Sequence, residues 1–167
     1  MNTKIEFITA LLPHAIEAIG SQHSFLVRWG IGKASVECGW NLENELIVRA
    51  NNCLGIQGGM WGSNGWTAFA TIPVIWLKAN TGSEAGEKIP WRVFPLGLTE
   101  CFGELVRMWN DRTPYTPWRT VAVTSFEQIY AEGTAGHSMS VLKNIQNVLD
   151  EMIGADLVDA KGRLNQS

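Results

Sequence analysis

Charge is scarce in this chain. Asp, Glu, Lys and Arg make up 17% of its 167 residues, against roughly 25% in an ordinary soluble domain. No stretch is rich in Lys or Arg, and the formal net charge is −3. The electrostatic footprint of a nucleic-acid binder is therefore missing, and an anionic membrane surface would repel the chain. No apolar run reaches the roughly 18 residues that a membrane span requires. The start, Met1 to Ile8, lacks a basic region followed by a long apolar stretch, so no secretory signal is expected. Cysteine is sparse as well. Cys38, Cys53 and Cys101 are too few for a disulfide scaffold and have no zinc-like spacing, so they read as free thiols. His14, His23 and His137 lie far apart and fit no metal pattern. Neither a metal nor a cofactor is expected.

What is present is apolar and aromatic. Apolar residues reach 46%, and eight tryptophans stand against two tyrosines. That excludes intrinsic disorder, and the length suits one domain covering residues 1–167. Residues 3–19 place Phe7, Leu11, Leu12, Ala15, Ile16 and Ile19 at helical spacing, with Pro13 inside and Gly20 as a stop. A second helix is predicted over Ser24–Cys38, ended by Gly39. A third runs from an Asn41 cap to about Ala50. From about 51 to 97 the character changes. Eight glycines fall there, and Thr67–Leu77 is rich in Thr, Val, Ile and aromatics, the composition of strands joined by turns. Asn80–Lys88 reads as a loop. Helical patterning returns at Leu98–Trp109, in two pieces between Pro117 and Glu132, and at Ser138–Ile153, before a polar tail from about 154. The sum is α+β with helices dominant.

One glutamate is oddly placed. Glu37 falls in the last turn of an apolar helix, where the helix dipole disfavours an anion. Flanking Val36 and Trp40 would desolvate it further and raise its pKa. A carboxylic acid kept protonated near neutral pH is what general-acid cleavage of a glycosidic bond needs. By spacing alone, a surface glutamate at a fraying helix end is the blander alternative reading. The segment Asn51-Asn52-Cys53-Leu54-Gly55-Ile56-Gln57-Gly58-Gly59 reads as a side-chain-capped turn that brings backbone close to something. Ser35 and Ser138 lack the His and Asp partners of a serine hydrolase. Cys38 sits at the wrong end of its helix to be an activated thiolate.

Taken together, Glu37-Cys38-Gly39-Trp40, a short helix, and Asn51-Asn52-x-Leu54-Gly55-Ile56-x-Gly58 resemble the glucosaminidase domains of peptidoglycan hydrolases (glycoside hydrolase family 73), where the pattern runs roughly Glu-Ser-Gly-Trp-Gly and Asn-Leu-Phe-Gly-Ile-Lys-Gly. The likeness extends to Phe7–Ala18, to Trp91-Arg92-Val93-Phe94, to Glu100–Trp109 and to Tyr130-Ala131. It implies a lysozyme-like fold: a helical lobe, a small β-hairpin lobe, and a glycan groove between them. It further implies that Glu37 is the catalytic acid and that Tyr130 lies by the substrate sugar. The chain departs from the family on the hairpin, where some members carry a second acid. Thr67–Trp76 has none, which leaves Glu84 and Glu87 in the following loop as candidates for a second carboxylate. The stretch after Tyr130, Ala131-Glu132-Gly133, is also altered.

The resemblance thus implies a hydrolase of the bacterial wall glycan that cleaves after GlcNAc. A muramidase or lytic transglycosylase on the same fold is the alternative within the class, and a non-catalytic glycan-binding or phage-tail module the alternative outside it. Such an enzyme made without a signal peptide would act in the periplasm or outside after injection, non-classical export or lysis, as an antibacterial effector or phage lytic protein. An effector would have a cognate immunity protein occluding the groove. Trp29, Trp76 and Trp109 read as core. Trp40, Trp61, Trp66 and Trp91 read as groove residues able to stack on sugar, Asn52 as a further substrate-binding residue, and Trp118 is unassigned.

Overall fold

The computed structural model describes residues 3–79, 86–111, 139–158 and 165. Within them the order is α1 (Lys4–Ile19), a 3₁₀ turn (Ser21–His23), α2 (Ser24–Cys38), α3 (Glu45–Ala50), β1 (Gly59–Gly62), β2 (Gly65–Ala68), β3 (Val74–Lys78), β4 (Lys88–Arg92), α4 (Leu98–Asp111) and α5 (Met139–Gly154). The strands form two antiparallel hairpins, β1–β2 and β3–β4. The architecture is the expected one, helices first and last with a small β part between. The two helical pieces expected between Pro117 and Glu132, together with Trp118, lie outside the described residues.

Helices α1 and α3 start where a side chain satisfies an orphan amide, while α2 starts without a side-chain cap,. Thr3 and Glu6 form a reciprocal capping box at α1, with bonds of 3.1 and 2.7 Å,. Pro13 sits inside α1 without ending it. The carbonyl it deprives of a partner is that of Thr9, and both residues are exposed, on the face of the helix where solvent can satisfy such a group. The third helix begins three residues later than the Asn41 cap predicts. Asn44 accepts from the Leu46 amide at 2.9 Å and starts α3, while Asn41 accepts from Glu43 N and closes a separate turn,.

Helix α2 is apolar on several faces because it is enclosed, packing mainly on α5 and α1,. Leu26, Val27, Trp29, Ile31, Ala34 and Cys38 are all buried and join Phe7, Ile8 and Leu11 of α1 and Phe102 of α4 in one core. Gly30 permits this closeness: a Cβ there would meet Phe102 Cε1 at 3.3 Å and Ile19 Cδ1 at 3.5 Å. A hydrogen-bonded link from His14 Nδ1 to Thr99 Oγ1 (2.7 Å) ties α1 to α4. All three cysteines are free and buried. Cys38 Sγ donates to the Cys53 carbonyl at 3.3 Å, and the Cys53 and Cys101 sulfurs lie 4.0 Å apart.

The β part hangs from the helices through one turn. Phe94 N bonds Ala50 O at 2.8 Å, Arg92 N bonds Ile56 O at 2.9 Å, and Gly58 N bonds Pro90 O at 2.7 Å, so residues 50–58 run along β4. Asn52 is fully buried. Its Nδ2 donates to the carbonyls of Ile56 (2.8 Å) and Arg92 (2.9 Å), and its Oδ1 accepts from Ile56 N (2.9 Å). The expectation that Asn52 binds substrate is therefore corrected: both its amide hydrogens and its oxygen are spent inside the protein. Its truncation would orphan three backbone groups, each costing about 1–3 kcal/mol when buried. Asn52→Ala is expected to lower stability by about 3 kcal/mol, read as a shifted midpoint in thermal or urea denaturation.

Candidate active site

Glu37 occupies the last turn of α2, two residues before Gly39, which ends the helix in the left-handed conformation (φ 61°). Its carboxyl lies against the 52–56 turn. Gly55 has φ +63°, and a Cβ there would fall 2.5 Å from Glu37 Oε2. Glycine is thus required twice over at position 55, by backbone conformation and by the carboxyl resting on it. One turn earlier on α2, Lys33 Nζ stands 3.8 Å from Glu37 Oε1, with side-chain exposures of 19% for Lys33 and 37% for Glu37. Burial raises the pKa of Glu37 above its ordinary value, and the Lys33 charge opposes this more weakly,. The same burial lowers the pKa of Lys33. The desolvation expected from Trp40 comes instead from the turn. Trp40 packs edge-on to Phe7 (centroids 5.6 Å apart) beneath Lys4 Nζ, so it faces α1.

Beyond Gly55 opens a groove of about 320 Å³. Lys33 and Gly55 line one side, Phe69 the β side, and Arg92, Glu104 and Arg107 the other. Glu104 is buried to 8% exposure. Its Oε1 accepts from Arg92 Nη1 at 3.0 Å and from Arg107 Nη2, and its Oε2 accepts from Arg107 Nε at 2.9 Å. Arg92 also lies over the Phe94 ring, 5.0 Å from its centroid. The sequence reading missed Lys33, Arg92, Glu104 and Arg107. The available signal was weak: a Lys–Glu pair at i,i+4 on α2 and a Glu–Arg pair at i,i+3 on α4, spacings that surface helices use routinely.

The other candidates divide. Trp61 and Trp66 face each other across β1–β2 as a registered pair, their rings edge-to-face at 5.9 Å. Trp61 is 56% exposed. Trp66 is half-buried, and its Nε1 is buried with no hydrogen-bond partner among the described residues. Trp91 donates Nε1–H to Leu77 O at 3.2 Å, inside the second hairpin. Trp29 is core as expected, but Trp76 is 42% exposed on β3, contrary to expectation. The period of a strand puts alternate residues on its outer face, and Trp76 falls there. The backbone of Trp109 continues α4, and its side chain lies outside the described residues.

Glu87 precedes β4 and is exposed. Arg92, the groove residue, is five positions further along that extended segment, about 17 Å at the rise of a strand. Glu87 thus lies at the opposite end of β4 from that groove residue. Glu84 and Tyr130 lie outside the described residues. Cys38 is no nucleophile, since burial, aided by nearby Glu37, pushes its thiol up to about 12,. Among the described residues, no three His, Cys, Asp or Glu side chains converge as metal ligands. No helix among them is long and apolar enough to cross a membrane.

Two outcomes follow from this geometry. The fold favours protonated Glu37, so this group's stabilising share is full below its ordinary value near 4.5 and lost as pH rises through the raised one,. Glu37→Gln, neutral at every pH, is expected to melt above wild type at about pH 7 and with it below about pH 4, in paired thermal scans. Gly55→Ala is expected to cost about 1–2 kcal/mol from the left-handed backbone. It is also expected to push the carboxyl outward, lowering the Glu37 pKa in a carboxylate-resolved NMR titration.

At the level of sequence, no family model and no curated protein matches the chain. Solved structures do match. The glycoside hydrolase domain from Salmonella typhimurium FlgJ superposes with a TM-score of 0.65 at 18% identity, over 93% of this chain and 94% of that one. The catalytic domain of the autolysin Auto from Listeria monocytogenes gives 0.58 at 14% identity, over 90% and 86%. A peptidoglycan hydrolase mutant from Sphingomonas sp. A1 gives 0.51 at 18% identity, over 86% and 90%. The chain therefore shares the mainly helical α+β fold of these three domains.

Proposed function

We propose that the protein is a glycoside hydrolase of peptidoglycan, an endo-β-N-acetylglucosaminidase in which Glu37 is the general acid. The observation that carries this reading is the half-buried Glu37 carboxyl held against Gly55 at the edge of a groove, with a raised pKa. A protonated carboxyl in that position donates its proton to the glycosidic oxygen as the bond breaks. Glu104, the other carboxylate among the described groove residues, has both oxygens engaged by arginine, which holds it as an anchor for those side chains. That leaves the second step to the substrate's own acetamido group, or to Glu84 or Tyr130. The structural neighbours support the substrate class through what they are: a glycoside hydrolase domain, an autolysin and a peptidoglycan hydrolase. Exposed Trp61, paired with Trp66, offers a flat ring for the apolar face of a sugar.

The test is clearing of purified peptidoglycan by wild type beside Glu37→Gln. Loss of the general acid is expected to lower kcat by about 10²–10⁴-fold, and the wild-type rate is expected to fall as pH rises past the raised Glu37 pKa. Equal clearing by both proteins would sink the assignment of Glu37. No clearing by either would favour a glycan-binding module. Mass spectrometry of the fragments is expected to find GlcNAc at the new reducing end; MurNAc or anhydro-MurNAc there would identify a muramidase or a lytic transglycosylase. Trp61→Ala is expected to raise KM severalfold while leaving the melting temperature nearly unchanged. An enzyme with this substrate acts outside the cytoplasmic membrane, as an effector or phage lytic protein would, so periplasm-directed expression should harm cells where cytosolic expression does not.

A further inference from the structure

The three cysteines have no part in the mechanism, yet they gather in one buried place. Cys53 and Cys101 are fully buried and Cys38 nearly so, all within the core shared by α1, α2 and α4. They are not equivalent. Cys38 Sγ donates to the Cys53 carbonyl at 3.3 Å, so its proton is committed to backbone. Cys53 Sγ donates instead to Cys101 Sγ at 4.0 Å. A thiol is a weak donor and a weak acceptor, so this contact contributes little while the sulfurs stay reduced. The two residues stand 48 positions apart in sequence. Cys53 belongs to the 52–56 turn, whose Gly55 receives the Glu37 carboxyl, and Cys101 to the first turn of α4. A covalent link between them would join that turn to α4. Closing so long a loop removes more freedom from the unfolded chain than a short staple does.

The folded protein also protects the pair. The bond to Cys101, and then burial, hold the Cys53 thiol well above its ordinary value, so scarcely any reactive thiolate is present. Exchange at these sulfurs therefore belongs to the folding chain, or to moments when the turn opens.

We propose that Cys53 and Cys101 are a disulfide site, closed by exchange with a small-molecule disulfide as the chain folds in an oxidising compartment, while Cys38 stays a free thiol. In the first exchange one protein cysteine releases its proton to solvent, attacks oxidised glutathione and expels one glutathione thiolate. In the second, the other cysteine loses its proton and attacks the protein sulfur of the mixed disulfide, expelling the second glutathione. The protein gives up two protons and two electrons, and one oxidised glutathione becomes two reduced ones. The choice of compartment rests on the hydrolase reading, whose substrate lies outside the cytoplasmic membrane. The choice of partners rests on the geometry alone.

The experiment refolds the full chain from urea in a mixture of oxidised and reduced glutathione, alkylates the remaining thiols and maps the peptides by mass spectrometry. Of the three thiols, Cys38 alone is expected to be alkylated, with Cys53 and Cys101 in one linked peptide. The oxidised protein is expected to melt about 5–10 °C above the same protein held reduced. Cys53→Ala and Cys101→Ala are each expected to abolish that shift, and Cys38→Ala to keep it. Protein exported to the periplasm and alkylated at lysis is expected to carry the same link. A linked peptide containing Cys38, three alkylated cysteines after refolding or export, or an oxidised form that melts no higher than the reduced one would overturn the site. If an alanine variant does not fold, wild type compared with itself under the two redox conditions decides, since it needs no substitution. Failure of the linked wild type to clear peptidoglycan would overturn the hydrolase reading and leave the disulfide site standing.

Discussion

The side-chain amide of Asn52 joins the helical and β parts of this protein. It closes the 52–56 turn on itself through both polar groups of Ile56 and pins that turn to the Arg92 carbonyl of β4. A fully buried amide is tolerated because its hydrogen bonds are made internally, and for the same reason it admits little play. Everything at the groove inherits its position from this joint. On one side of the turn, Gly55 receives the Glu37 carboxyl. On the other, β4 ends in Arg92, which reaches across to Glu104 on α4.

The electrostatics of the groove follow from the same packing. Glu37 and Lys33 are mutually stabilising in sign, yet burial outweighs their attraction, so both move toward neutrality. Glu104 has the opposite fate. Two arginines meet it at bonding distance, and the resulting cluster links β4 to α4. Two carboxyl groups of the same residue type thus meet different surroundings, one pressed toward neutrality by burial and one gripped by two arginines.

Much of the fold was legible along the chain. The apolar spacing of α1 placed the helix to within a residue, α2 agrees at both ends, and α4 runs two residues further than expected. The glycine-rich segment from 51 to 97 correctly announced the β part. Where the reading slipped, two local signals competed. Asn41 and Asn44 are both good caps, and the choice between them was decided by which amides the rest of the structure left open. Trp76 looked like core because Val74–Leu77 is uniformly apolar, yet strand alternation turned its ring outward. Asn52 looked like a ligand contact because paired asparagines before glycines suit either a binding loop or a clamped turn.

The sequence by itself determined that Glu37 sits at an unfavourable helix end and that the Asn51–Gly59 segment is a tight turn, because helix polarity and backbone conformation are local properties. The tertiary structure alone decided what meets that carboxyl. Gly55 is 18 positions away in sequence, and the cluster opposite draws on a strand and a helix further still. Contacts between remote elements depend on how whole faces pack, which no local spacing encodes. So the partners of Glu37 and the enclosure of Glu104 became visible with the fold.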